Sequence, residues 1–216
     1  MPHDSFMKLS DQRRNAIVDT GIAEFSQRSY TDVGTDVITK QCGISKGLLF
    51  HYFGSKKEYY FYCLEQAMKV ITTPSPAMPN GNLHEVFFSL LTNKIRLCQQ
   101  YPTQMRLSQM ASRETCTDIK ESKNTILTHY MAKSNMDTTK IMAMASANIR
   151  FKTAVDMGKA TAALQIYVQS LINRYFEKYQ DRPDAFFKNT GPVQKEFSEY
   201  IDFVLLGIAE KMKSLT

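Results

Sequence analysis

Apolar residues recur at helical spacing along most of this chain. Behind Ser10, a good N-cap, the pattern predicts a helix over Asp11–Gln27, with Ile17, Gly21 and Phe25 on its inner face. Tyr30 to Val33 then leads into the densest stretch, residues 34–53, GTDVITKQCGISKGLLFHYF. Gly34 can take an N-cap position, and Val37, Ile38 and Cys42 give the following turns one apolar side. Gly43 supplies a position that can adopt positive φ and so ends that helix. Ile44 drops into the core beneath the turn, and Ser45 caps a second short helix. The expected buried face of that helix carries Leu48, Leu49 and Phe53; the opposite face carries Lys46, Gly47, Phe50, His51 and Tyr52. A glycine inside a helix costs roughly 1 kcal/mol against alanine, so Gly47 makes sense only if something bulky must approach the backbone closely.

Gly54 and Ser55 break the helix, and Ser55 caps another over Lys56–Ile71. Its run Tyr59, Tyr60, Phe61, Tyr62, Cys63 is apolar all round, which predicts packing on more than one side. Residues 72–82 hold three prolines and a glycine and mark a boundary. Helices are expected over about 83–101, 103–113, 118–134 and 138–151, the last two parted by Asn135, Met136 and Asp137. Two closing segments are the most regular. Ala160, Ala163, Leu164, Tyr167, Val168, Leu171, Ile172, Tyr175, Phe176 and Tyr179 form one stripe; Val193, Phe197, Tyr200, Ile201, Val204, Leu205, Ile208 and Met212 form the other. Joined through residues 181–192, they predict an antiparallel helical pair. The fold class is all-α.

Composition narrows the functional classes. The 216 residues are 43% hydrophobic, enough for a core, with no apolar run of membrane-spanning length. Residues 1–14 lack the apolar stretch of a signal peptide, so a cytoplasmic location is expected. Cys42, Cys63, Cys98 and Cys116 form no Cys-x-x-Cys pair and read as reduced thiols; His3, His51, His84 and His129 show no metal-ligand spacing. No cofactor or metal is expected. A net charge of +6 suits a polyanionic partner, yet residues 1–60 hold eight basic and seven acidic side chains, an excess of only one. Placement must therefore do what bulk charge does not, and Lys46, Lys56 and Lys57 lie on or beside the second short helix. No converging set of titratable groups for catalysis is visible, so the chain reads as a non-enzyme. A helical interaction module without DNA binding and, less favoured, a helical enzyme are the alternatives.

From about Gln12 to Leu64 the sequence resembles the tetracycline-repressor (TetR) family of bacterial transcription regulators. The resemblance rests on Ile17, Phe25, Tyr30 and Ile38, on Gly43-Ile44-Ser45-Lys46-Gly47, on Leu49-Phe50-His51-Tyr52-Phe53, and on Ser55-Lys56-Lys57-Glu58. Gly21, Glu24, Ser29 and Thr39 stand where that family usually has Ala, an apolar residue, Gly and Ala; Gly34 replaces a capping Ser or Thr, and Phe50 a Tyr.

The resemblance implies a helix-turn-helix DNA-binding domain over residues 1–55 and an effector-binding and dimerisation domain over 56–216. It implies a homodimeric, ligand-responsive regulator, a repressor that leaves a palindromic double-stranded operator when a small hydrophobic or amphipathic effector binds. Side-chain chemistry then nominates Ser45, Lys46, Gly47, Phe50 and His51 for the groove and Thr35, Tyr52 and Lys56 for phosphate. In the resembled family the last two helices pair with their copies, which nominates Leu164, Val168, Leu171, Tyr175, Phe197, Ile201, Leu205 and Ile208. The family's effector pocket lies in the middle helices, where Met105, Met110, Met131, Met136, Met142 and Met144 cluster; Phe87, Leu91, Met110 and His129 are the candidates to line it.

Overall fold

A computed structural model describes residues 2–73, 83–146, 156–179 and 191–208, and within these some helical side chains are not described. The described helices are α1 (Asp4–Met7), α2 (Asp11–Gln27), α3 (Thr35–Cys42), α4 (Lys46–Phe53), α5 (Lys56–Ile71), α6 (Leu83–Gln100), α7 (Pro102–Arg113), α8 (Thr117–Ser146), α9 (Met157–Lys178) and α10 (Gly191–Ile208). No described residue lies in a β-strand, so the all-α expectation holds. No described helix is long and apolar enough to cross a membrane.

The chain divides into two compact units, 1–73 with 100–134, and 74–99 with 135–216. The first is larger than the 1–55 module because α7 packs on both α2 and α5. Leu107, Ala111 and Ile119 from this later stretch are fully buried. The aromatic run in α5 is packed as its composition demands: Tyr59, Tyr60, Phe61 and Cys63 are buried. Tyr59 donates its hydroxyl to the Ile17 carbonyl of α2 at 2.6 Å. Gly21 makes this possible, since a Cβ there would lie 2.3 Å from the Tyr59 hydroxyl oxygen and 2.6 Å from Cys63 Sγ. All four cysteines are free. Burial pushes the Cys63 thiol far up, which makes it an inert core group.

Residues 4–7 form a helical turn, and Phe6 inserts fully buried among Tyr52, Phe53 and Tyr62, with ring centroids 5.6, 4.7 and 5.7 Å away. The amide of His3 donates to the Tyr52 carbonyl at 2.8 Å.

The corner after α7 is tied down by charge. Lys123 is buried and donates to the carbonyls of Ala111 and Glu114, both at 2.8 Å. The Glu114 carboxylate accepts from the amide of Tyr30 at 2.8 Å and from that of Cys116 at 2.9 Å. Burial raises its pKa, but the N–H groups of Cys116, Tyr30 and Thr115 outweigh that and hold it below the ordinary 4.5. Lys57 reaches Asp118 at 3.1 Å.

The break expected at 135–137 is absent, because α8 runs unbroken from Thr117 to Ser146. Asn and Asp cost a helix only tenths of a kcal/mol, and no Gly or Pro intervenes. The expected continuation over 147–151 lies outside the described residues. In the second unit α9 and α10 pack together as the predicted pair, with Tyr175 donating to Glu196 at 2.8 Å and the Tyr167 and Tyr200 rings stacked at 4.4 Å. Arg174 also pairs with Glu196.

Candidate nucleic-acid interface

The turn between α3 and α4 follows from two residues. Gly43 adopts φ +62°, the left-handed conformation that glycine tolerates, and its amide and that of Ile44 close on the carbonyls of Lys40 and Thr39. Ser45 then caps α4, its hydroxyl accepting from the Leu48 amide at 3.1 Å. Arg13 of α2 donates to the Gly43 carbonyl at 3.2 Å and braces the turn, a contact that sequence spacing does not reveal.

At 3.6 residues per turn each position on α4 advances by about 100°. Leu49, Tyr52 and Phe53 fall on one side and are buried. Gly47 and His51, one turn apart, define the outermost line, and both are exposed. Leu48 and Phe50 flank it, each half-buried. Two expectations are corrected here. Leu48 is not a core residue, and Tyr52 is not on the outer face: its ring sits on the Leu49 side, beside Phe6, and is buried. Thr35 is also corrected, since its side chain is buried at the start of α3.

Lys46 stands at the N-terminal end of α4 and makes an exposed ion pair with Asp36 of α3 at 3.0 Å. Such pairs contribute about 0–1 kcal/mol, so a phosphate or base edge can take the ammonium over. Lys56 opens α5 beneath the Ser55 cap; it lies 4.6 Å over the Tyr30 ring and donates to the Thr31 carbonyl at 3.4 Å. Desolvation lowers its pKa, partly offset by Asp32 and Cys116. The imidazole of His3 lies 6.2 Å from that of His51, which places the N-terminal turn beside the outer line of α4.

Gly47 carries the most information. An added Cβ would find only Ser45 Oγ, at 3.9 Å, and the residue has no positive φ. Among the described residues nothing requires glycine there, in contrast with Gly21. Glu24, where the resembled family has an apolar residue, is buried and accepts from Gln41 Nε2 of α3 at 2.8 Å. The unusual acid in α2 thus helps to position α3.

The remaining candidates fare differently. Of the proposed pocket residues, Met110 is half-buried on α7 and His129 is exposed on α8; an exposed His129 lines no closed cavity. The side chains of Phe87 and Leu91 lie outside the described residues, as do those of Met142 and Met144. Met105 is buried, whereas Met131 and Met136 are exposed. Among the dimer candidates, Leu171, Tyr175 and Phe197 are 2%, 7% and 1% exposed within a single chain, so they belong to its own core. The side chains of Leu164, Val168, Ile201, Leu205 and Ile208 lie outside the described residues. Among the described residues of α9 and α10, Ile166 and Phe203, 71% and 75% exposed, are large apolar groups left open, with Tyr200 at 41%.

Residues 17–61 match the family model for bacterial regulatory proteins of the tetR family. Over 79 residues the chain is 28% identical to the HTH-type transcriptional regulator HbdR of Aromatoleum sp. (strain CIB); the match spans 37% of this chain and 34% of that relative. A TetR family transcriptional regulator from Chloroflexus aurantiacus J-10-FL superposes with a TM-score of 0.67 at 20% identity, over 98% of this chain and all of that one. NalD of Pseudomonas aeruginosa, the secondary repressor of the MexAB-OprM multidrug efflux pump, gives 0.61 at 14%, over 94% of this chain and all of its own. At these identities the superpositions speak for the fold, while the family model speaks for the segment that holds the helix-turn-helix. Residues 17–61 thus carry a module that matches the tetR family of bacterial regulatory proteins, on a helical chain that follows the fold of solved TetR regulators.

Proposed function

We propose that the protein is a ligand-responsive repressor: a homodimer that holds a palindromic operator and releases it when a small hydrophobic or amphipathic effector binds. The observation that carries DNA binding is the exposed line of α4 through Gly47, thinned to backbone where no internal contact asks for it. Lys46 and His51 supply donors beside that line, and Lys56 a cation at the start of α5. Residues 1–55 form the reading head in this account, and 56–216 serve effector binding and dimerisation. Pairing through α9 and α10 uses Ile166, Phe203 and the open side of Tyr200 as a self-complementary apolar face. An effector acts by preferring the dimer whose reading heads are spaced wrongly for the operator; the bias equals its difference in affinity for the two states. NalD, a repressor of similar fold, supports the repressor sign. A cytoplasmic location, with the DNA, follows.

The test is a gel shift on duplex DNA from upstream of the protein's own gene. Wild type retards this DNA, and Lys46→Ala combined with Gly47→Ala does not; sequence-specific retention by the double variant sinks the assignment. Effectors are sought by thermal shift, because a ligand of the native state raises the melting temperature by mass action.

A further inference from the structure

We infer that Leu48 and Phe50 make this protein a reader of thymine methyl groups. The inference rests on the DNA-binding reading above and specifies what the exposed face of α4 recognises. The donors on that face are few. Ser45 Oγ accepts from the Leu48 amide and keeps its proton to donate, Lys46 at the helix start holds Asp36 in an exposed pair that an anion can displace, and Tyr52 is packed beside Phe6. His51 is the polar side chain left on the outermost line. On either side of it stand Leu48 and Phe50, both half-buried and both apolar.

An apolar side chain pressed against the polar edge of a base pair strips water from donors and acceptors without replacing their hydrogen bonds. The apolar group displayed in the major groove of duplex DNA is the thymine C5-methyl. In a helix-turn-helix the first residues of the second helix meet base edges, and Leu48 is the third residue of α4. Gly47 lets the helix sink until groups on both flanks touch the groove floor. The two side chains then straddle the glycine line and meet methyls at separate steps.

The test selects duplexes from a random pool with the full-length wild-type protein. The enriched site is then resynthesised with deoxyuridine for thymidine, which removes the methyl and leaves the hydrogen-bonding edge intact. Each contacted methyl removed weakens binding about fourfold, the equivalent of ~0.8 kcal/mol for one buried carbon. Leu48→Ala and Phe50→Ala each cancel the deoxyuridine penalty at their own positions; both residues are partly exposed, and circular dichroism confirms that the variants fold. An enriched site that binds equally well with deoxyuridine throughout overturns the inference. So does a site whose penalty survives in both variants. Failure to enrich any duplex is a different result, because it removes the DNA-binding reading itself.

Discussion

Replacing Gly47 with alanine separates what the fold needs from what a partner needs. The added methyl would meet only Ser45 Oγ, at 3.9 Å, an ordinary contact, and the backbone has no positive φ. Folding should therefore gain from helix propensity. The full interior value is about 1 kcal/mol, and a first-turn position recovers about half of it. For a cooperative unit of roughly a hundred residues this raises the melting temperature by about 2–4 °C. Binding should move the other way. A methyl standing between the helix backbone and a groove floor holds the two apart by about 1.5 Å. That separation breaks at least one base contact worth about 1–3 kcal/mol, a tenfold to hundredfold loss of affinity. Thermal melting by circular dichroism and fluorescence anisotropy on a selected duplex at one fixed salt concentration measure both. A variant that binds DNA as tightly as wild type, or that melts lower, refutes the reasoning.

The other glycine gives the opposite result: Gly21→Ala puts a Cβ into the Tyr59 hydroxyl and should destabilise by about 1–3 kcal/mol, read as a lower urea midpoint; an unchanged midpoint contradicts the packing. Asp36→Asn frees Lys46 and removes a negative charge near the phosphates. The slope of log K against log salt should steepen by about one, with stability within about 0.5 kcal/mol of wild type; an unaltered slope rules this out. Glu114 has a depressed folded-state pKa, so its contribution is complete above the ordinary 4.5 and is lost as pH falls through the lower folded value. The stability gap between wild type and Glu114→Gln should stay flat from pH 7 to about 5 and close in more acid solution; a gap independent of pH excludes the carboxylate latch. Ile166→Asp with Phe203→Asp should yield monomers in analytical ultracentrifugation while helicity is kept, whereas Leu171→Ala should lower stability by about 2–5 kcal/mol. A double variant that remains dimeric moves the interface elsewhere.

Helix ends marked by local chemistry were legible in the chain. Ser10, Ser45 and Ser55 cap where expected, and Gly43 turns where expected, because each acts through neighbours within a few residues. The side on which Leu48 and Tyr52 fall was not legible. In Leu48-Leu49-Phe50-His51-Tyr52-Phe53 nearly every residue is apolar or aromatic, so an eight-residue helix has no contrasting stripe, and the packing of Phe6 decides. Phe6 itself was missed because four helical residues carry no period. For the closing helices the stripe at helical spacing shows that a face is buried, but not whether it meets its own chain or a copy. Leu171 and Phe197 belong to the first case. The Glu114–Tyr30 bond spans 84 positions, and no short-range pattern encodes it.

That long-range bond, together with α7 lying across α2 and α5, bears on how such a protein can be re-engineered. A chimera that borrows its specificity by splicing at residue 55, or even at 73, would tear the lid from a half-finished core. A transplant would have to carry residues 100–134 with 1–73, whereas on the proposed reading editing Lys46, Leu48, Phe50 and His51 on the outside would redirect the address and leave the masonry standing.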